Sequence, residues 1–530
     1  MLLLYNGKIS TLDPNNSEFS AIGIENGRIL FLGSDEEGLK KNCSNKIDLQ
    51  GKRVLPGFID SHMHLIHYAF FSTNLVLFGQ NSIKDIQEMV QKKIQEKKSY
   101  ILGMGWNQAY LEEKRMITKD DLDAVSTEIP ICLLRSCGHI ASMNTKALEM
   151  VKTKGYHPDY EPLIDWDKGI LREEANKLYM SILPDFTTED IEELIRYSVS
   201  HLHKAGITSI HSDDFQTLPC DFEEIIKAYR SLEEKDELNI RVHEQCLFLY
   251  DKEFKRFIDA GYSTDKDGDS LFRLGPRKLL QDGSLGARTA AMREPYSDKD
   301  TLGDITFDQK TLDHYVQEAA DNNMSVAIHG IGDKAIEMGI DAIEKTLVDD
   351  PKNTIRNSIV HSQITPADLI KRMADSNILA LIQPNFIEDD MNVVYERLGK
   401  ERAESSYCWK SMLEASVPLS GGSDSPVTDF NIMKNIYAAV TRKNLAGTKE
   451  YLPEEGLDID TAIRLFTQMG AYPSFDENKK GTLETGKFAD LVVLEEDLYT
   501  VEKEHLKDIE IAMTICNGKI VYENKEESYG

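Results

Sequence analysis

The sequence predicts an α/β protein. Its centre is a parallel (β/α)8 TIM barrel, joined by a small composite β-sandwich domain from both termini and a large insertion after barrel strand one. Three observations predict this. Eight short apolar runs alternate with amphipathic helical runs, the pattern of a parallel sheet wound with crossover helices. β-rich runs with Asn-Gly turns stand at both chain ends. About 135 residues separate the first apolar run from the second, far beyond an ordinary connection.

The barrel strands are taken in order. "PGFIDSHMHLIH" (56–67) holds the first, followed by "GITSIHSDD" (206–214), "NIRVHEQCLF" (239–248) and "FRLGPRKLLQD" (272–282). Then come "MSVAIHGIGD" (324–333), "NSIVHSQ" (357–363), "ILALIQPNF" (378–386) and "VPLSGGSDSP" (417–426). Helical runs lie between most of them, the first carrying a capping-box signature at Thr187 and Asp190. "LLLYNGKISTLD", "IGIENGRILFLGS" and "AMTICNGKIVYEN" read as hairpins on their Asn-Gly pairs. Residues 1–55 and 481–530 are therefore assigned to the composite β-domain and 56–480 to the barrel. The insertion, about 70–185, has strand-like pieces of its own and is expected to form a lid and part of the substrate pocket.

Composition narrows the function. Sixty-one basic residues against 90 acidic give a net charge of −29, which excludes a basic nucleic-acid surface and gives no support for docking on anionic membranes. Seven scattered cysteines with no Cys-x-x-Cys read as reduced thiols. "MLLLYNGK" lacks a basic n-region, and no run approaches the length of a membrane span. A cytoplasmic enzyme of a small-molecule substrate is expected, with homo-oligomerisation left open.

The chemistry comes from polar residues at the strand ends. His62 and His64 are two apart after an apolar strand, so both face one side. An isolated His-x-His is more often an ordinary hydrogen-bonded pair, but here partners recur downstream: Lys278 on strand four, His329 on five, His361 on six and Asp424 on eight. Active sites of (β/α)8 enzymes lie at the C-terminal strand ends, so these six can converge. Imidazoles and a carboxylate suit Zn2+ and related ions, and four His with one Asp suit two ions roughly 3.5–4 Å apart. Two close cations need an anionic bridge, which Lys278 supplies only as its N6-carboxylated form.

"PGFIDSHMHL", "RKLLQDGSLGARTA", "AIHGIGDKAIEMGIDAIE", "SIVHSQ", "QPNF", "GSDSPV" and "KGTLETGKFADLVVL" together resemble the amidohydrolase superfamily, in its amidohydrolase family 3 branch. The resemblance covers nearly the whole chain. It implies a metal-dependent hydrolase of C–N bonds other than peptide bonds. It also implies that His62, His64 and Asp424 hold one ion, His329 and His361 the other, and Lys278 bridges, with Asp424 taking a proton from the bridging water. The amide, formamide or ring-imide carbon would be the target of the metal-activated water. Two departures bear on substrate choice. "QPNF" places Asn385 and Phe386 where a His often follows Gln-Pro, and "VHSQ" lacks the acidic residue that often precedes His361.

Other candidates carry bland readings beside functional ones. His139, Trp106 and Arg288 are offered as substrate-binding groups, against a loop histidine, a packed indole and a surface cation. His211 points either into the site or into a helix contact. His201 and His203 read as surface or packing residues, His67 as at most a neighbour of the ligands, and Glu173 as a packing or salt-bridging residue set against a spare carboxylate ligand. The rival functions are a mononuclear deaminase of similar fold and a catalytically silent regulatory protein on the same scaffold.

Overall fold

The computed structural model describes residues 1–96, 98–136, 140–248, 250–266, 268–348 and 350–524. The chain divides into two compact units, one of Met1–Leu65, Arg196–Phe215 and Tyr229–Gly530, the other of Ile66–Ile195 and Gln216–Ala228.

The first unit contains the barrel. Its strands are β1 (Phe58–Met63), β2 (Ile207–Ser212), β3 (Arg241–Leu247), β4 (Phe272–Leu280), β5 (Val326–Gly330), β6 (Ser358–His361), β7 (Leu379–Ile382) and β8 (Leu419–Gly421). They pair in parallel in that order. The seam between β1 and β8 closes just beyond the strand ends, where Asp424 N donates to His62 O (2.7 Å) and His64 N to Ser425 O (2.8 Å). Helices alternate with the strands: α1 (Thr188–Lys204) precedes β2, and α2 (Phe222–Glu234), α3 (Asp251–Asp259), α4 (Gln309–Asp321), α5 (Asp333–Thr346), α6 (Ala367–Asp375), α7 (Trp409–Glu414, after two other α-helices) and α8 (Ile432–Thr441) come after β2 to β8 in turn. The strands read as apolar runs because helices cover their outer faces and side chains fill the interior. The capping box of α1 forms as its sequence predicts: Asp190 N donates to Thr187 Oγ1 (3.2 Å) and Thr187 N to Asp190 Oδ2 (2.8 Å).

The terminal strands form two sheets. One orders Arg28–Gly33, Ala21–Glu25, Leu2–Tyr5 and Asn45–Asp48; the other orders Lys519–Glu523, Ile511–Cys516, Leu491–Leu494, Arg53–Pro56, Lys8–Ser10 and Glu18–Phe19. Leu4, Ile22, Val54, Leu491 and Ile515 belong to one core that draws on both sheets. Two of the three Asn-Gly pairs close hairpins. Asn26-Gly27 and Asn517-Gly518 have both residues left-handed (φ 50° and 75°, 50° and 76°), as the two-residue hairpin turn requires. The first pair does not close a hairpin. Leu2–Tyr5 and Lys8–Ser10 lie in different sheets, and Asn6-Gly7 steps the chain between them.

The second unit has its own six-stranded sheet, ordered Ile164–Asp165, Ile170–Arg172, Ile140–Met143, Ile131–Arg135, Ile101–Trp106 and Leu75–Val76. Ile83, Ile86, Trp106, Leu111, Ile131 and Leu133 are part of its core. Among the described residues, no helix is long and apolar enough to cross a membrane.

Candidate metal centre

The structure brings the predicted residues together. His62 is on β1 and His64 just past it, Lys278 on β4, His329 on β5, His361 at the end of β6, and Asp424 three residues beyond β8. Asp424 Oδ1 lies 3.3 Å from His62 Nε2 and 3.1 Å from His64 Nε2, so His62, His64 and Asp424 offer three ligand atoms within 4.8 Å of one another. Beside them, His361 Nε2 stands 2.9 Å from His329 Nδ1. The His62 and His361 rings are 5.6 Å apart, which joins the two groups into one cluster.

Each imidazole is held by its outer nitrogen. His64 Nδ1 meets the carbonyl oxygen of Asp213 (3.0 Å) and His329 Nε2 that of Gly283 (3.0 Å). A carbonyl only accepts, so these ring nitrogens carry the proton. His62 Nδ1 meets Gln245 Oε1 (2.8 Å), and that amide is oriented by its own donation to Ser61 O (3.2 Å). His361 Nδ1 meets Gln383 Oε1 (2.7 Å), oriented in the same way by Leu381 O (3.0 Å). With the outer nitrogen of all four rings engaged, the inner nitrogen of each faces the cluster, and at His329 and His361 it is a lone pair. Two such lone pairs 2.9 Å apart, at His329 and His361, repel unless a cation lies between or beside them. This donor set fits divalent transition ions, and an outer acceptor on every histidine is the arrangement that fixes the tautomer of metal-binding imidazoles.

Backbone strain supports the same reading. His361 and Asp424 both have left-handed φ (73° and 57°), which costs a non-glycine residue on the order of 1–3 kcal/mol and clusters at functional sites. Asp60, fully buried on β1, ties the two seam strands: its carboxylate accepts from Ser423 N (2.9 Å), Ser423 Oγ (2.5 Å) and His62 N (3.2 Å). Burial pushes the Asp60 carboxyl up to about 7 against those hydrogen bonds. Burial also disfavours a charged Asp424, but hydrogen bonds from His62 and His64 outweigh it and hold that carboxyl well below the usual range. Burial and the Lys278 charge bring His62 down to about 4. For His64 burial is overcome by Asp424 and Asp213, and the ring rises to about 9.

Lys278 is buried, with Nζ 3.2 Å from His62 Nε2 and 3.4 Å from Asp213 Oδ2. Its carboxylate neighbour is thus Asp213. Asp282 accepts from the backbone N–H groups of Ala291 (2.9 Å), Ile331 (3.1 Å) and Gly332 (2.8 Å), bracing the loop behind His329. Two residues offered as substrate-binding groups are engaged elsewhere. Trp106 is only 1 % exposed, its indole donates to Leu133 O (2.9 Å), and it packs in the core of the second unit. Arg288 grips Asp298 through Nε (3.0 Å) and a terminal nitrogen (2.6 Å), so its planar fork is already engaged. His139 lies outside the described residues. His203 is buried with Nε2 on Asn239 O, a packing role.

Sequence reasoning missed Asp60, Asp213, Gln245 and Gln383. Period two would have found Asp60, which stands two residues before His62 on β1. A cleft of about 180 Å3 opens beside the centre, lined by Leu285, Ile331, Phe386, Val427, Gln363 and Asp389 among others. The Phe386 ring lies nearly parallel to His361 at 5.5 Å.

The barrel and the donors that converge at its C-terminal strand ends fit a metal-dependent hydrolase. The chain belongs to the amidohydrolase family, in its family 3 branch, whose model matches residues 46–522. It is 31 % identical over 533 residues to the Bacillus subtilis (strain 168) protein YtcJ, named after the same family, covering 98 % of this chain and 99 % of that one. It is 23 % identical over 559 residues to the N-substituted formamide deformylase of Arthrobacter pascens, covering 98 % of each. Among solved structures, an uncharacterized metal-dependent hydrolase from Pyrococcus horikoshii OT3 superposes with a TM-score of 0.83 at 28 % identity, covering 95 % of this chain and 99 % of that one.

Proposed function

We propose that this enzyme hydrolyses a non-peptide C–N bond in an amide, N-substituted formamide or cyclic imide or lactam, using two divalent ions, zinc in the first instance. His62, His64 and Asp424 would hold one ion, His329 and His361 the other, with N6-carboxylated Lys278 between them. The observation that carries the reading is the set of four imidazoles, each locked by an outer acceptor with its inner nitrogen turned toward the cluster. Bound there, the ions supply Lewis acidity that lowers the pKa of water toward neutrality and polarises a carbonyl.

The chain's own residues supply the rest. Asp424, ionised and held by two imidazoles, accepts a proton from the attacking water at its carboxylate and returns it to the leaving nitrogen. Gln245 and Gln383 keep His62 and His361 from turning. Phe386 gives a flat apolar wall beside His361 for the substituent on the scissile nitrogen.

A one-ion aminohydrolase is the second reading, favoured by one contact: Lys278 beside Asp213 as a free ammonium pair. Zinc-reconstituted protein assayed on a panel of N-formyl amines, N-acyl amines, imides, lactams and aminated heterocycles separates them. Release of formate, acid or ring-opened product supports the proposal. Ammonia from the heterocycles alone supports the second reading, and a silent panel refutes both.

A further inference from the structure

The barrel interior is tiered. Along β2 and β3, Ser209 pairs with Arg241 and His211 with His243, with Asp213 and Gln245 one step further toward the C-terminal end. That last tier serves the metal centre through Asp213 O and Gln245 Oε1. The two lower tiers have no part in it. They are joined by Arg273 from β4 and by Asp476 and Lys480 from the segment before the last terminal strands, all buried.

Charge and hydrogen bonds do not close there. Arg241 pairs with Asp490 (2.7 Å). Arg273 and Lys480 share one carboxylate, Asp476, which Arg273 contacts closely and Lys480 Nζ reaches at 3.1 Å. Three cations against two carboxylates leave one buried positive charge among the described residues, a costly state unless it is compensated. Burial depresses the Lys480 pKa; Asp476 opposes this, and Arg273 and Arg241 depress it further. Lys480 uses two of its donors, on Asp476 and on Ser209 Oγ (2.5 Å). His243 is 2 % exposed, yet both its ring nitrogens lack a hydrogen-bond partner among the described residues, as does His211 Nε2. His243 and the charged groups, though not His211, line a void of about 10 Å3 bounded by Arg241, His243, Arg273, Asp476, Lys480 and Phe488 among others. That is room for one water-sized particle and too little for a sulfate or phosphate.

The geometry points to a buried site for a single monatomic anion, a halide such as chloride, held by Lys480, Arg273 and the His243 ring beneath the metal centre. A water molecule would satisfy the hydrogen bonds but leave the charge. A halide satisfies both, accepting from the spare lysine N–H and a ring N–H. Its role is structural: it lets Lys480 stay an ammonium while it joins the C-terminal segment to β2. The inference does not rest on the proposed activity.

The test uses the metal-loaded full chain, crystallised in sodium bromide with no chloride. An anomalous bromine peak within hydrogen-bonding reach of Lys480 Nζ and the His243 ring is expected. In solution, the Tm should rise by about 1 °C for each tenfold increase in bromide above its dissociation constant, with acetate as the constant-ionic-strength control. Lys480→Met removes the excess charge and should abolish both responses. A void that shows no bromine while bromide is seen elsewhere in the crystal overturns the site. So does a Tm that follows ionic strength whichever anion is present.

Discussion

Replacing Gln245 by Leu tests the outer layer of the metal centre. Gln245 is 1 % exposed, accepts from His62 Nδ1 at 2.8 Å and donates to Ser61 O at 3.2 Å. Leucine has a similar volume, so the core stays filled while the His62 N–H and the Ser61 carbonyl are both stranded. Each buried polar group left unpaired costs about 1–3 kcal/mol. The His62 ring also loses the group that selects its tautomer, and loss of such a partner typically costs 10–100-fold in metal affinity, which is about 1.4–2.7 kcal/mol at 1.36 kcal/mol per tenfold. The two ranges overlap, as they should if the lost hydrogen bond is the cause. The assay is competition for Zn2+ against a chelating dye, with circular dichroism to confirm the fold. A folded Gln245→Leu protein whose zinc dissociation constant lies within twofold of the parent's would refute the claim that outer acceptors set the ligand geometry.

Three further outcomes follow from the same structure. Asp424→Asn should keep its fold by circular dichroism and lose roughly 10²–10⁴-fold in turnover, beyond any effect explained by its metal content; near-native turnover would remove Asp424 from proton transfer. Trp106→Ala should destabilise the second unit by about 3–5 kcal/mol, seen as earlier proteolysis within residues 66–195, with metal content unchanged. Asp497 is held down to about 2 against its burial by Arg53 and Lys8. A depressed carboxylate stabilises the fold above its unfolded pKa near 3.8 and loses that contribution as pH falls toward 2. Asp497→Asn should therefore lower the Tm at pH 7 but leave it nearly unchanged at pH 2, so a Tm difference of the same size at both would contradict the linkage.

Much of the site was legible because strand periodicity and barrel topology are strong constraints. Once eight apolar runs are read as parallel strands, a His-x-His at the end of the first and a carboxylate after the last must be neighbours, since those strands share the seam. The orienting residues were harder to see. Gln245 and Gln383 look like any buried amide, and only coordinates show which ring nitrogen each one faces. Trp106 stayed open between pocket and core in the sequence because an aromatic beside a Gly-rich turn fits both equally well, and the packing of an inserted sheet is not written in its periodicity. The Asn6-Gly7 turn was misread for a related reason. The dipeptide specifies a sharp change of direction, but whether the two strands then pair depends on their partners, and here Leu2–Tyr5 finds Asn45–Asp48 while Lys8–Ser10 finds Arg53–Pro56.

The central claim is that four inward-facing imidazoles, Asp424 and Lys278 hold two divalent ions. Metal analysis of the zinc-reconstituted chain, alongside His329→Ala and Lys278→Ala, tests it most directly. The account predicts two equivalents per chain for the parent and no more than one for each variant, with bicarbonate needed to load the second equivalent into the parent. A fully active parent with a single equivalent, unaffected by bicarbonate or by Lys278→Ala, would contradict it.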